Sequence, residues 1–100
     1  MIILLGTAKL GENALVEGRA AFDTMIAASN AEEGVLHYSY SVDVIDPSIM
    51  HITEKYVDQE ALTLHGQSEH MAAFQKAMGT LDAKITDLTM FTADDGTKLM

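Results

Sequence analysis

Hydrophobic and polar residues recur along this chain with two different periods, and the changes between them predict the order of its elements. A mostly apolar run at residues 2–10 is too short for a stable helix and ends at Gly11, so it is interpreted as a strand. Residues 13–30 then carry Leu15, Phe22, Met25 and Ile26 at helical spacing. This spacing predicts an amphipathic helix.

The next segment alternates strictly between apolar and polar positions. One presumed face of a strand over residues 35–44 carries Leu36, Tyr38, Tyr40, Val42 and Val44. Residues 49–57 predict a second strand, which a turn around Pro47 joins to the first as a hairpin.

The last third of the chain predicts one more helix and one more strand. Asp58 is a plausible N-cap for a helix over residues 59–78, with Gly66 as a weak point or kink. Residues 83–92 then predict a final strand.

The predicted order, β-α-β-β-α-β, indicates a single domain over residues 1–100 with a ferredoxin-like α+β sandwich fold. Its two helical segments can cover only one face of the antiparallel sheet. The other face is partly apolar, because Ile3, Leu5 and Ile49 fall on it. A small domain with such a face usually covers it with a partner chain, so a homodimer is expected.

The charge balance narrows the choice of partners. Fifteen Asp and Glu residues outnumber six Lys and Arg residues, which gives a formal net charge of −9. This surface repels phosphate backbones and anionic lipid headgroups, so neither a nucleic acid nor a membrane is an expected partner. The chain has no cysteine and no long apolar run, and a cytoplasmic location is the default expectation.

Histidines are the first candidates for chemistry, because they titrate near neutral pH. His65 and His70 are five residues apart, which on one continuous helix separates them by about 140°. This angle argues against a metal site made by these two alone, and none is expected. His65 is either a histidine at the core boundary or a pocket group, and His70 is either a solvated or capping histidine or a pocket group. His37 and His51 are expected as a cross-strand surface pair on neighbouring strands.

Glu54 is an unusual carboxylate, since it falls between Ile52 and Tyr56 on a face that should point inward. A buried carboxylate must be paired, hydrogen-bonded or neutral. Glu54 is therefore either a structural anchor or an acid–base group.

The aromatic and methionine side chains indicate an apolar interior. Tyr38, Tyr40 and Tyr56 share the presumed inward faces and are either packed aromatics or pocket groups. Met71 and Phe74 lie on the apolar stripe of the second helical segment, where methionine packs a core or lines an adaptable pocket.

Three short segments carry a family resemblance. Residues 32–38 have the pattern E-x-G-x-x-x-Y, residues 54–62 have E-x-Y-x-D-x-x-A-L, and residues 65–70 have H-x-x-S-x-H. In this order and spacing, over about residues 32–74, they resemble the antibiotic biosynthesis monooxygenase family. That resemblance implies a dimeric α+β barrel in which the partner closes the second sheet face.

The same resemblance implies a function. Several family members use molecular oxygen on aromatic polyketides or quinols without flavin, haem or metal, which implies a cofactor-independent monooxygenase of a small aromatic, quinol-like or polyketide substrate. His65 is then the expected acid–base group, with Glu54 and His70 as the other catalytic candidates. The expected substrate pocket contains Tyr38, Tyr40, Tyr56, Met71 and Phe74.

One departure from the family pattern matters. The chain has no tryptophan, and Tyr56 stands where the second motif often has one, so the haem-degrading branch is not expected. The alternative reading is a non-catalytic dimeric module that binds a small apolar ligand or serves as a stress accessory. Oxygen consumption separates the two, because only the enzyme consumes it.

Overall fold

Four strands and three helices make up the fold. The computed structural model describes residues 1–100, with β1 (Ile2–Leu10), α1 (Ala14–Asn30), β2 (Val35–Val42), β3 (Ile49–Tyr56), α2 (Gln59–Gly66), α3 (Glu69–Met78) and β4 (Ala83–Thr92). The strands form one antiparallel sheet in the order β2-β3-β1-β4. The predicted ferredoxin-like α+β fold is confirmed, with the second helical segment divided in two.

One face of the sheet is covered by the helices, as the sequence predicted. In β1, burial alternates from residue to residue, and Ile2, Leu4, Ala8 and Leu10 are buried on the helical side. Leu5, on the opposite face, is 45% exposed. The period-two pattern of a half-buried antiparallel strand is therefore kept along the whole of β1.

A β-bulge changes one expectation for β2. Val35 pairs with Tyr56 and His37 pairs with Lys55, so Leu36 is an extra residue without its own partner on β3. The prediction that Leu36 lies on the core face is therefore wrong, and its side chain is exposed. After the bulge the alternation resumes and carries Tyr38 and Tyr40 to the helical side, because a bulge shifts the register by one residue.

The second helical segment breaks at the position the sequence marked as weak. Helix α2 ends at Gly66, and α3 begins after Ser68, whose Oγ accepts a hydrogen bond from the Met71 backbone amide at 3.2 Å. The Ser68 hydroxyl also donates to the His65 carbonyl at 2.7 Å, which closes the break. None of the three helices has the length and apolar character needed to cross a membrane.

Strand β4 lies at one edge of the sheet and is the least covered element. Nine of its ten residues are exposed, which shows that the helices do not extend over this edge. Leu88 and Met90 pair with Gly6 and Leu4 and share the helical face, yet both are about half exposed.

Candidate functional site

An apolar cavity of about 330 Å³ lies between the helical face of the sheet and helices α1 and α3, with β4 as one wall. Twelve of its fifteen lining residues are hydrophobic. Few of the lining residues carry polar side chains: Glu54, Gln75 and Lys84, together with the tyrosines Tyr38 and Tyr40. A mostly apolar cavity with a few convergent polar groups is typical of a small-molecule site.

The two tyrosines of β2 form a hydroxyl pair in the cavity wall. Their Oη atoms are 2.5 Å apart, so one hydroxyl donates to the other. Burial raises the pKa of both phenols well above the usual value, so both remain protonated in the neutral range. The pair has two hydrogens and uses one in its own hydrogen bond, which leaves the second for an oxygen atom in the cavity.

Glu54 is the buried carboxyl of the site, as the alternation in its strand predicted. It is 6% exposed and lies directly across the sheet from Tyr38. Burial raises the pKa of this carboxyl, although the hydrogen bond from Tyr56 and the proximity of His65 both act in the opposite direction. A raised pKa makes the carboxylate a stronger base, which favours its use as a general base.

Tyr56 lies behind Glu54 instead of in the cavity. Its side chain is fully buried, and its hydroxyl donates to Glu54 Oε1 at 2.5 Å. Burial is the largest cause that raises the pKa of this phenol, and the hydrogen bond to Glu54 raises it further. The hydroxyl therefore keeps its proton and remains a hydrogen-bond donor. Tyr56 therefore orients the carboxyl, which leaves the other carboxylate oxygen for the cavity.

His65 lies in the same buried layer as Tyr56 and is 2% exposed. Its ring centroid is 5.1 Å from that of Tyr38 and 5.5 Å from that of Tyr56. Its Nε2 atom is buried and has no hydrogen-bond partner. The imidazole thus packs behind the Tyr38 ring of the cavity wall and does not line the cavity itself.

Glu32, from the turn after α1, joins both histidines of the helical segment. Its Oε2 atom lies 2.7 Å from His65 Nδ1 and 2.8 Å from His70 Nε2. The expectation that His65 and His70 point about 140° apart is wrong, because it assumed one continuous helix and the chain turns between α2 and α3. The break brings both imidazoles to one carboxylate.

The remaining two histidines lie on the other face of the sheet, but the predicted cross-strand pair between them does not form. His51 Nε2 is 2.8 Å from Asp43 Oδ1, and the hydrogen bond between them lowers the pKa of the Asp43 carboxyl. His37 Nε2 is 2.8 Å from the Ser39 hydroxyl. Ser39 lies on the same strand as His37, whereas Asp43 lies just past the end of β2, so each histidine has a partner other than the other histidine.

The structure brings most of the predicted pocket residues together in the cavity wall and places the histidines outside it. Tyr38, Tyr40, Met71 and Phe74 line the cavity, together with Glu54, whereas Tyr56, His65 and His70 do not. Sequence reasoning missed the wall that β4 contributes, which includes Lys84, Ile85 and Leu88. It also gave no role to Glu32, although the E-x-G segment was a signal that marked this residue.

Comparison with known proteins agrees with this fold. The sequence profile described as antibiotic biosynthesis monooxygenase matches residues 1–77. A solved structure from Deinococcus radiodurans, described as a candidate antibiotic biosynthesis monooxygenase, superposes with a TM-score of 0.88 at 23% identity and covers 100% of this chain and 99% of that one. No curated protein matches the sequence.

Two further solved structures show the same fold. A protein from Mycobacterium tuberculosis has a TM-score of 0.84 at 21% identity, over 97% of this chain and 98% of that one. A conserved protein from Methanosarcina mazei has a TM-score of 0.82 at 19% identity, over 93% of this chain and 92% of that one.

Proposed function

We propose, since the chain belongs to the antibiotic biosynthesis monooxygenase family, that it is a cofactor-independent monooxygenase of a small aromatic, quinol-like or polyketide substrate. The observation that carries this proposal is the cavity, where a buried carboxyl and a hydroxyl pair face an otherwise apolar space. An oxygenase of this kind needs a group that takes a proton, donors for the resulting oxyanion, and exclusion of water. Glu54 can meet the first need and the tyrosine hydroxyls the second, and the apolar lining favours the third.

The size and the walls of the cavity suit a small aromatic molecule. Its volume is at the lower end of the range of about 300–1,000 Å³ that small-molecule sites occupy. The rings of Tyr40 and Phe74, with centroids 5.9 Å apart, supply an aromatic wall against which a planar substrate can pack.

Glu54 is the proposed proton acceptor. It removes a proton from the acidic C–H or O–H of the substrate, and the hydroxyl pair of Tyr38 and Tyr40 donates its free hydrogen to the oxyanion. The electron-rich anion then reduces molecular oxygen. For a reacting CH₂ group, one oxygen atom becomes the carbonyl of the product and the other leaves as water with the two hydrogens, so no external reductant is consumed.

His65 and His70 are proposed as positioning residues for this site. His65 contacts the rings of Tyr38 and Tyr56, and Tyr56 holds Glu54, so the imidazole acts on the proton acceptor through its neighbours. His70 shares the Glu32 carboxylate and thereby helps to fix the His65 ring.

A homodimer is the proposed working form. The wall that β4 contributes to the cavity is exposed in the single chain, and Leu5 and Phe91 add exposed apolar surface on the opposite face of the sheet. A second copy packed on this edge would cover both surfaces and exclude water from the cavity, as the dimeric barrels of the family imply.

An oxygen electrode tests the proposed function most simply. Chelator-treated protein is offered a panel of anthrones and hydroquinones, and at least one is expected to be oxidised with consumption of oxygen. Glu54→Gln should lower the rate by about 100-fold or more, as expected for loss of a general base. Glu33→Gln, at an exposed carboxylate outside the cavity, is the matched control and should keep the rate.

Two outcomes would contradict this proposal. Tight binding of a compound from the panel without oxygen consumption would indicate a non-catalytic ligand-binding module. Equal rates for Glu54→Gln and the wild-type protein would show that another group takes the proton.

A further inference from the structure

The geometry points to a divalent metal site formed by Glu32, His65 and His70, on the far side of the cavity wall. The ligand atoms are one carboxylate oxygen and two imidazole nitrogens, and all of them lie within 4.8 Å of one another. This donor set suits a first-row cation of the cobalt-to-zinc range, for which imidazole and carboxylate are common ligands.

Three separate segments have to meet to build the site. Glu32 lies in the turn between α1 and β2, His65 in the last turn of α2, and His70 in the first turn of α3. The break after Gly66 is what allows the two histidines to converge, because on an unbroken helix they would diverge. Ser68 fixes this break through its bonds to the chain on both sides.

The present distances are close to those of a bound site. Both imidazole nitrogens lie 2.7–2.8 Å from the same carboxylate oxygen. Ligands held at about 2.0–2.2 Å from a tetrahedral zinc ion are separated by about 3.3–3.6 Å. Each imidazole nitrogen therefore needs to move away from the carboxylate oxygen by less than about 1 Å for an ion to enter between them.

The site is open to solvent on one side, and the negative charge of the chain attracts cations. His65 is almost fully buried, whereas the side chains of Glu32 and His70 are 20% and 21% exposed, so the site opens to solvent on their side. The chain carries a formal charge of −9, which raises the local concentration of cations. Water can complete the coordination on the open side.

The competing account is a hydrogen-bonded cluster without an ion. There each imidazole donates an N–H to Glu32, and the carboxylate only orients His65. The two arrangements use the same three residues and differ in whether a cation binds with a defined stoichiometry. This difference does not depend on the proposed oxygenase activity, since the site lies outside the cavity.

A bound ion would act on the fold. It would tie the turn after α1 to the junction of α2 and α3, and it would fix the imidazole that packs against Tyr38 and Tyr56. The ion would thus stabilise the cavity wall by fixing the His65 ring that packs against Tyr38.

Titration of the chelator-treated full chain with Zn²⁺ and Co²⁺ tests the site. Calorimetry should show one ion bound per chain, the Co²⁺ complex should show visible d–d absorption, and Zn²⁺ should raise the midpoint of thermal unfolding. His70→Gln and Glu32→Gln should each weaken binding about tenfold or more. Both residues are partly exposed, so the two variants should still fold, and circular dichroism can verify that they do.

His51→Gln is the matched control, because it removes another histidine that is paired with a carboxylate, Asp43, at 2.8 Å. Binding should be unchanged in this variant. The site is overturned if no saturable binding occurs, if His70→Gln binds as tightly as the wild-type protein, or if His51→Gln loses affinity equally. Oxygen consumption by chelator-treated protein would leave the proposed function intact in any of these cases.

Discussion

Glu54 shows how a single residue ties the fold to the chemistry. Its place on β3 follows from the alternation of the strand, and its burial raises the pKa of the carboxyl. An ionised carboxylate is costly in such surroundings, and Tyr56 supplies one hydrogen bond to offset part of that cost. A residue kept at the expense of stability is a candidate for function.

The pH dependence of stability follows from this burial. Below the pKa of an unfolded glutamate, about 4.3, both states hold the proton and Glu54 carries no ionisation cost. As the pH rises towards the higher pKa of the folded state, the unfolded chain releases its proton first, and the free energy of unfolding falls. Glu54→Gln removes this effect, so its stability relative to the wild-type protein should increase across that interval.

Urea unfolding at a series of pH values measures this difference. Glu33→Gln, at an exposed carboxylate, is the control and should show no such trend. A constant difference between Glu54→Gln and the wild-type protein at every pH would show that the carboxyl is not destabilised by burial.

At the level of single residues, the sequence predicted which side chains point inward better than it predicted which residues they contact. Glu54, Tyr38 and Tyr40 were assigned to inward faces because strand alternation depends only on local spacing. Glu32 was given no role, because its contact with His65 joins residues 33 positions apart. Such a contact depends on how the turn after α1 meets the helices.

At the scale of elements, a close approach positions the turn that carries Glu32. The Gly34 carbonyl accepts a hydrogen bond from the Val57 amide at 2.9 Å, and a Cβ atom at Gly34 would collide with the Cβ of Ala61 in α2. Both groups are fixed to the backbone, so neither can rotate away. Glycine is thus required here for contact between the turn and the helix.

Two alanine substitutions test this reading as a pair. Gly34→Ala should lower the free energy of unfolding by about 1–3 kcal/mol, because the turn has to move away from α2. Gly66→Ala has no atom within 4 Å of the new methyl group and should be neutral or stabilising by up to about 1 kcal/mol. Denaturant unfolding compares them, and equal effects would contradict the close contact at Gly34.

Hydrophobic periodicity predicted where the elements lie, but it did not predict how the chain runs where an element is interrupted. The weak point at Gly66 was predicted from composition, and the helix does end there. The direction of the chain after the break was not, because Ser68 sets it through hydrogen bonds that hydrophobic spacing does not encode. The same limit applies to Leu36, which the bulge in β2 moves outward.

At the scale of the whole molecule, the exposed β4 edge predicts self-association. Phe91 is 48% exposed and pairs with Ile3 on the face that the helices leave open. Sedimentation at micromolar concentration should show a dimer, and Phe91→Glu should shift it towards monomer because a charge at an apolar interface is unfavourable. Val16→Glu, at an exposed apolar residue of α1, should leave the dimer intact.

A wild-type protein that sediments only as a monomer would rule out this assembly. Loss of the dimer in Val16→Glu but not in Phe91→Glu would place the interface on the helices instead.

The sequence predicted the α+β fold as a whole, because each period change marked one element. It predicted Tyr38, Tyr40, Met71 and Phe74 as pocket residues but not the wall that β4 contributes, which depends on how far the helices extend across the sheet. Lys84 and Leu88 became part of the site only through their place beside the cavity.

Turnover under ¹⁸O₂, with mass spectrometry of the product, measures the proposed oxygenation itself. With a substrate identified in the oxygen-electrode panel and no added reductant or cofactor, one labelled atom should enter the product and the other should leave as water. Folded Glu54→Gln should form about 100-fold less labelled product or lower still. A product without label, or hydrogen peroxide as the fate of all the oxygen consumed, would contradict the proposed oxygenation.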